Sequence, residues 1–393
     1  MMNIAVLKEA KTDETRVALR PNQVAQLVDA EHQVYVEDQA GRAAGFDNAE
    51  YQRAGGIICD KQTALENGKL ILKVKAPLPE EYDDYHEEHI LFTYLHLDEN
   101  ISVSQIQRLV NQGLMGIAYE WVGQNKHYPL LAAMSRLTGY LFAQKSTELC
   151  MREKGVFIGR NEPMLPGGNV LIIGLGNIGI SALKFFLDNN LRITLVEKAD
   201  RQALNQRLNF RFKTKGIDYL ASKNISLLPF HQIEPRQTKE KIAKMIHQFD
   251  IVLNCAVRRV DMPKTKLEYL ITKEMIQMMQ RGSVICDATA CDQDMVETAV
   301  SSSLLHHTDT IDGIVHYNCD HIPALAANTA TKLLTDSTFD YVKLIADRGI
   351  AHAIASSGWL KNGVSCYKGK ITHAYTAKKK NLPYTHIDEL LSA

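Results

Sequence analysis

Val170 to Ile173 is a short, wholly apolar run that leads directly into Gly174-Leu-Gly176-Asn177-Ile178-Gly179, and Ile178, Ala182 and Phe185 then recur at helical spacing. A buried strand, a GxGxxG turn and a helix in that order constrain the fold strongly, because the three glycines have separate tasks. Gly174 permits the tight turn, Gly176 leaves backbone open to a pyrophosphate, and Gly179 lets the helix approach the strand. The unsatisfied N–H groups of the helix start, around Asn177 and Ile178, then face the phosphates. Glu197 closes the next apolar run, 21 residues after Gly176. A carboxylate there accepts from the ribose hydroxyls and repels a 2′-phosphate, which favours NAD over NADP. Lys198 beside it pulls weakly the other way.

The same rhythm fills the rest of the chain. Before the glycine loop, apolar runs at Asn3–Leu7, 33–36, 69–75, 90–95 and 114–119 alternate with polar or helical stretches, one helix opening at Pro21. That is the pattern of βαβ units around a parallel sheet. Leu130, Met134, Leu137 and Leu141 repeat at helical spacing from Pro129, so a long helix is expected to carry the chain into the next domain. After the loop, strands are expected at 191–196, 250–255 and 283–286. An apolar run at 311–315 then precedes a helical segment over 323–347. The fold class expected is α/β, with two Rossmann-like domains, and the tail returns to the first of them. The boundaries read as 1–136, 137–310 and 311–393, the middle piece being the NAD-binding domain.

Composition narrows the function classes. Forty-five Lys plus Arg balance forty-five Asp plus Glu, so no overall field draws the chain to nucleic acid or to an anionic membrane. The short basic run Lys378-Lys-Lys380 reads as a solvated face. The apolar start is too brief for a secretory signal. The longest apolar stretch, Asn169 to Ile180, contains three glycines and two asparagines and falls short of the roughly 20 residues that span a bilayer. Seven scattered cysteines without a CxxC pair suggest neither a disulfide framework nor a metal centre, and a cytoplasmic setting fits them. A small-molecule substrate is therefore expected.

Polar residues at the ends of first-domain runs are the other candidates. Lys73 and Lys75 are two apart in a strand pattern and project from one face, either as a solvated strand end or as a carboxylate clamp. His96 closes the run Ile90-Leu-Phe-Thr-Tyr94-Leu-His96, as a structural ring or as a general acid and base. Arg16 stands in a polar Glu14-Thr15-Arg16 stretch and is by itself indistinguishable from a surface arginine.

Taken together, several passages resemble the alanine dehydrogenase and pyridine nucleotide transhydrogenase family. They are Lys8-Glu9 with Arg16-Val-Ala-Leu-Arg-Pro21, Leu72-Lys-Val-Lys75-Ala-Pro77-Leu-Pro79-Glu80-Glu-Tyr82, Leu91-Phe-Thr-Tyr94-Leu-His96-Leu, Pro129-Leu-Leu-Ala-Ala-Met134-Ser135, the glycine loop, and Tyr367-Lys-Gly-Lys370. The resemblance runs over nearly the whole chain. It implies a substrate domain made of the first segment and the tail, with the Rossmann domain inserted and substrate in the cleft between them. It also implies that Arg16 and Lys75 hold the substrate carboxylate and carbonyl beside Tyr94, that His96 is the general acid and base, and that Met134 and Ser135 border substrate and nicotinamide. The activity implied is NAD-dependent oxidation of L-alanine or a related small 2-amino acid to the 2-oxo acid and ammonia, in a homohexamer.

Two departures stand out. The family carries Asp, three residues, then Asp-Gln-Gly-Gly, the second Asp being catalytic, whereas this chain reads Asp287-Ala-Thr-Ala-Cys291-Asp292-Gln293-Asp294. Without a gap Cys291 takes the place of the catalytic aspartate; a shift of one residue gives it to Asp292. The family's Ala-Asn-Met-Pro becomes Asp320-His321-Ile322-Pro323, which puts a titratable ring beside the cofactor. Two other expectations therefore accompany the first: a reductase joining a 2-oxo acid and an amine, as opine- and saccharopine-type enzymes do, or a non-catalytic NAD-binding homologue.

Overall fold

The computed structural model describes residues 1–99, 101–125, 127–159, 167–189, 191–230, 235–257, 269–291 and 293–392. These fall into two compact units, one of residues 1–134 with 323–393 and one of residues 135–322.

In the first unit the strands are β1 (Asn3–Val6), β2 (Gln33–Glu37), β3 (Ile57–Cys59), β4 (Leu70–Lys75), β5 (Ile90–Tyr94) and β6 (Met115–Ala118). They pair in parallel in the order β3-β2-β1-β4-β5-β6. Order reverses between β1 and β4, so the carboxyl ends of these two strands open the crevice in which doubly wound sheets bind ligands. β4 and β5 are buried along nearly their whole length, because helices cover both faces of a parallel sheet and leave no polar side. One face packs Leu7, Ile71 and Leu91 against Tyr82, Tyr85 and Leu109.

The second unit repeats the plan with β7 (Asn169–Ile173), β8 (Arg192–Glu197), β9 (Ile225–Pro229), β10 (Ile251–Asn254), β11 (Val284–Asp287), β12 (Asp309–Ile311) and β13 (Ile314–Tyr317). The order is β9-β8-β7-β10-β11-β13-β12, parallel except for the last pair. The reversal lies between β7 and β10. Back in the first unit, β14 (Val364–Tyr367) and β15 (Lys370–Ile371) extend that sheet antiparallel beyond β6.

The first unit boundary falls inside the helix Pro129–Lys154. The second differs from the sequence expectation, standing at 322/323 where 310/311 was expected. The physical reason is β13, whose Val315, His316 and Tyr317 pair with Val284, Ile285 and Cys286 of β11. The apolar run near 311–315 therefore closes the second sheet and does not open the tail.

Candidate functional site

At the carboxyl edge of the first sheet, two buried or half-buried glutamates hold the strand ends. The Glu9 carboxylate follows β1 and accepts from the N–H of Val74 at 2.6 Å and of Lys75 at 3.2 Å. The contact lies where the pairing of β4 with β5 shifts register between Leu72 and Lys75. Burial, opposed by Lys73 and reinforced by Glu14, lifts the Glu9 carboxyl to about 7. The Glu120 carboxylate follows β6 and accepts from the N–H of Leu95 at 3.2 Å and of His96 at 2.6 Å. His96 thus leaves β5 at a fixed angle, in the left-handed region with φ 47°, a conformation a β-substituted residue adopts only when its surroundings enforce it.

The His96 ring stacks on Tyr94, with centroids 5.6 Å apart and planes 15° apart. Its Nδ1 is 2.8 Å from Glu99 Oε1. Burial works against the imidazolium, but the charges of Glu99 and Glu120 outweigh it and the opposing charge of Lys75, so the ring titrates at about 8. Tyr94 is buried and donates to the Leu130 carbonyl at 2.9 Å. Arg16 is also buried: its Nε and Nη2 hold the two Glu14 carboxylate oxygens at 2.7 and 2.6 Å, and its Nη1 is 3.4 Å from Met134 Sδ. The first unit therefore brings Arg16, Tyr94 and Met134 together, and His96 with Lys75. The sequence assigned no role to Glu9, Glu14, Glu99 or Glu120, although Glu9 and Glu14 stand in the passages around Lys8 and Arg16.

The lysine pair is a correction. Lys73 is not at a solvated strand end: it is 1% exposed, and its Nζ is 3.2 Å from Glu81 Oε1. Glu81 in turn meets Lys61 at 3.0 Å. Lys75, at the irregularity in the strand, is half-buried.

The second unit builds the glycine loop as expected. Gly174 has φ 83°, and a Cβ there would meet Ala256 at 2.7 Å. A Cβ on Gly179 would stand 2.0 Å from the Gly174 carbonyl, the close approach of helix to turn. A Cβ on Gly176 would meet nothing within 4 Å, so that position is open. Gly176 caps the helix Asn177–Asp188, in which Asn177 and Ile178 supply the first N–H groups. Glu197, at the end of β8, is buried and accepts from the N–H of Leu175 and of Lys198, each at 2.9 Å. Arg207 Nη2 lies 3.1 Å from its Oε2. The carboxylate is therefore tied to the glycine loop, while the Lys198 side chain is exposed. Ser135 is half-buried on the helix Pro129–Lys154.

Three other strand ends converge on the same edge. Asp287 Oδ1 accepts from Asn254 at 2.8 Å, from the Thr289 N–H at 2.8 Å and from the Thr289 hydroxyl at 2.9 Å. Its Oδ2 is buried without a hydrogen-bond partner among the described residues. Burial outweighs those three donors and, with Asp294, lifts the carboxyl to about 6. Cys291 is half-buried in the loop that follows, and Asp292 lies outside the described residues. His321 is buried, with Nδ1 2.7 Å from Asp320 Oδ1 and 3.7 Å from Cys319 Sγ. Cysteine spacing gave no hint of this cluster of possible metal donors, whose ligand atoms all lie within 4.8 Å of one another. The His321 Nε2 is buried and has no hydrogen-bond partner among the described residues.

Residues 5–138 match the family model described as alanine dehydrogenase/PNT, N-terminal domain, and residues 142–374 match its C-terminal domain. The chain is 32% identical to the alanine dehydrogenase of Bacillus subtilis (strain 168), over 98% of this chain and 96% of that one. It is 31% identical to that of Staphylococcus haemolyticus, over 99% of each. A solved L-alanine dehydrogenase superposes with a TM-score of 0.81 at 29% identity, covering 96% of this chain and 99% of that one. A transhydrogenase from Sinorhizobium meliloti shares the fold, with a TM-score of 0.71 at 18% identity over 95% of this chain and 99% of that one. Two family models that together span most of the chain, and relatives matched from end to end, place it: the chain belongs to the alanine dehydrogenase/PNT family.

Proposed function

We propose that this chain is an NAD-dependent amino-acid dehydrogenase that oxidises L-alanine, or a related small 2-amino acid, to the 2-oxo acid and ammonia. The observation that carries the reading is the pairing of an open dinucleotide loop in one unit with a strand-end histidine held by two carboxylates in the other. NAD supplies the hydride acceptor. The residues proposed to hold it are Ser135, Gly174, Gly176, Asn177, Ile178, Gly179, Glu197, Lys198 and His321.

Arg16 has its Nε and Nη2 engaged by Glu14, so Nη1, beside Met134, is the edge left to receive a substrate carboxylate. Lys75 would stabilise negative charge growing on the carbonyl oxygen. Hydride leaves Cα with its bonding pair, the lone pair of the neutral amine closes the C–N bond to an iminium, water adds to that carbon, and ammonia departs as the adduct's hydroxyl gives its proton to solvent and becomes the carbonyl. His96 Nε2 takes a proton from the attacking water and returns one to the departing nitrogen. Tyr94 stacks on the ring and fixes its plane. Asp292 is proposed to supply the family's carboxylate through the one-residue shift.

The departures at Cys291 and Asp320-His321 favour, as a second reading, a reductase that condenses a 2-oxo acid with an amine. A homohexamer in the cytoplasm follows from the family resemblance. Among the described residues no helix is long and apolar enough to cross a membrane. The test is NAD with a panel of amino acids, and NADH with 2-oxo acids plus ammonia or amines, followed by absorbance of the reduced cofactor. Turnover of L-alanine with NAD supports the proposal. Turnover restricted to amines other than ammonia supports the second reading, and cofactor binding without turnover removes both.

A further inference from the structure

Within the second unit lies a cavity of about 410 Å³ that shares only Asn177 with the residues proposed to hold NAD. Asn177, Ser181 and Lys184 are spaced i, i+4 and i+7 along the helix Asn177–Asp188 and form one wall. Arg136, from the helix Pro129–Lys154, forms a second. Arg211 and Lys213, at the end of the helix Arg201–Arg211, form a third.

Four cationic side chains thus face one hollow, and no carboxylate lines it. Other cations on the same helices are neutralised by neighbours: Lys145 by Glu148, Arg201 by Asp218, and Arg207 beside Glu197. The side chains of Arg136, Lys184, Arg211 and Lys213 make no ion pair or hydrogen bond with any described residue. In a chain with no net charge, four like charges converging on one concavity repel each other, and an anion between them adds attractions that offset those repulsions.

We propose that this cavity is a second anion site that binds a diphosphate-bearing ligand of mononucleotide size, distinct from the dinucleotide. Cations come from three separate helices, and two linked phosphates present oxygens in more directions than one phosphate does. The volume is in the range of small-ligand sites and suits a mononucleotide. The Ser181 hydroxyl, on the buried side of the wall, adds a neutral donor.

The site goes beyond the reaction proposed above and does not depend on it, since NADH affinity and turnover are measured separately. The experiment is calorimetric titration of inorganic pyrophosphate and of ADP into the full-length protein saturated with NADH, which fills the dinucleotide's own phosphate subsite. Both anions are expected to bind, more weakly as sodium chloride is raised. Lys184→Ala combined with Arg211→Ala should weaken binding about tenfold or more, while Lys215→Ala, outside the cavity lining, should not. NADH affinity of the double variant, measured in parallel, reports that the domain has folded. The proposal is overturned if neither anion binds the NADH-saturated protein, if they bind only when NADH is absent, or if the double variant binds them as the wild type does.

Discussion

His96 concentrates the account at the scale of single residues. Its pKa, raised from 6.5 to about 8, means that charging it favours the folded state below 6.5, and that this contribution fades as pH rises through 8. The base role proposed for His96 runs the opposite way, because a base must be neutral to accept a proton. Amino-acid oxidation should therefore rise with pH through about 8, and Glu99→Gln, which removes the nearest charge, should move that limb to lower pH in a pH–rate profile. An unmoved limb would detach Glu99 from the ring's titration. His96→Ala should lower turnover by roughly a hundredfold while NADH affinity by fluorescence stays near wild type. For the altered loop, Asp292→Asn should abolish most activity and Cys291→Ser should be mild. The reverse pattern would give the family aspartate's place to Cys291.

Elements show what was legible in the sequence and what was not. Strands and the glycine loop depend on neighbouring residues, so their patterns could be read directly: Gly174 makes the turn, Gly179 lets the helix approach it, and the space at Gly176 is open. That division yields a test. Gly176→Ala should keep the thermal midpoint, since nothing lies within 4 Å of the added Cβ, but weaken NADH binding. Gly179→Ala should disturb the loop itself, because its Cβ would stand 2.0 Å from a backbone oxygen. Equal NADH affinity in Gly176→Ala and the wild type would mean that the cofactor does not approach there. Contacts between distant residues were hidden. Glu9 meets Val74 across 65 residues and Glu120 meets His96 across 24, and no local periodicity announces either pairing. The burial of Lys73 was hidden too, because its partner Glu81 lies beyond the strand, in the short 3₁₀ segment Pro79–Asp84. Glu81→Leu would leave that ammonium buried without its carboxylate and should cost about 3 kcal/mol or more in denaturant unfolding. A loss within experimental error would mean that Lys73 finds another partner.

For the whole molecule, the two units repeat one topology, with strand order reversing between β1 and β4 in one and between β7 and β10 in the other. In the proposed function one unit carries the cations and the base for a small amino acid, and the other carries the dinucleotide. The later unit boundary belongs to the same logic, because β13 brings Asn318 beside Asp287, whose N–H donates to the Asn318 side chain at 3.0 Å. In the proposed function, hydride passes directly from the α-carbon of an amino acid to NAD. Its most direct measurement uses L-alanine carrying deuterium at Cα, incubated with NAD and the protein, with the products weighed by mass spectrometry. One deuterium on the nicotinamide ring of the reduced cofactor, with unlabelled pyruvate, is expected. Reduced cofactor without the label, or label released into water, would contradict it.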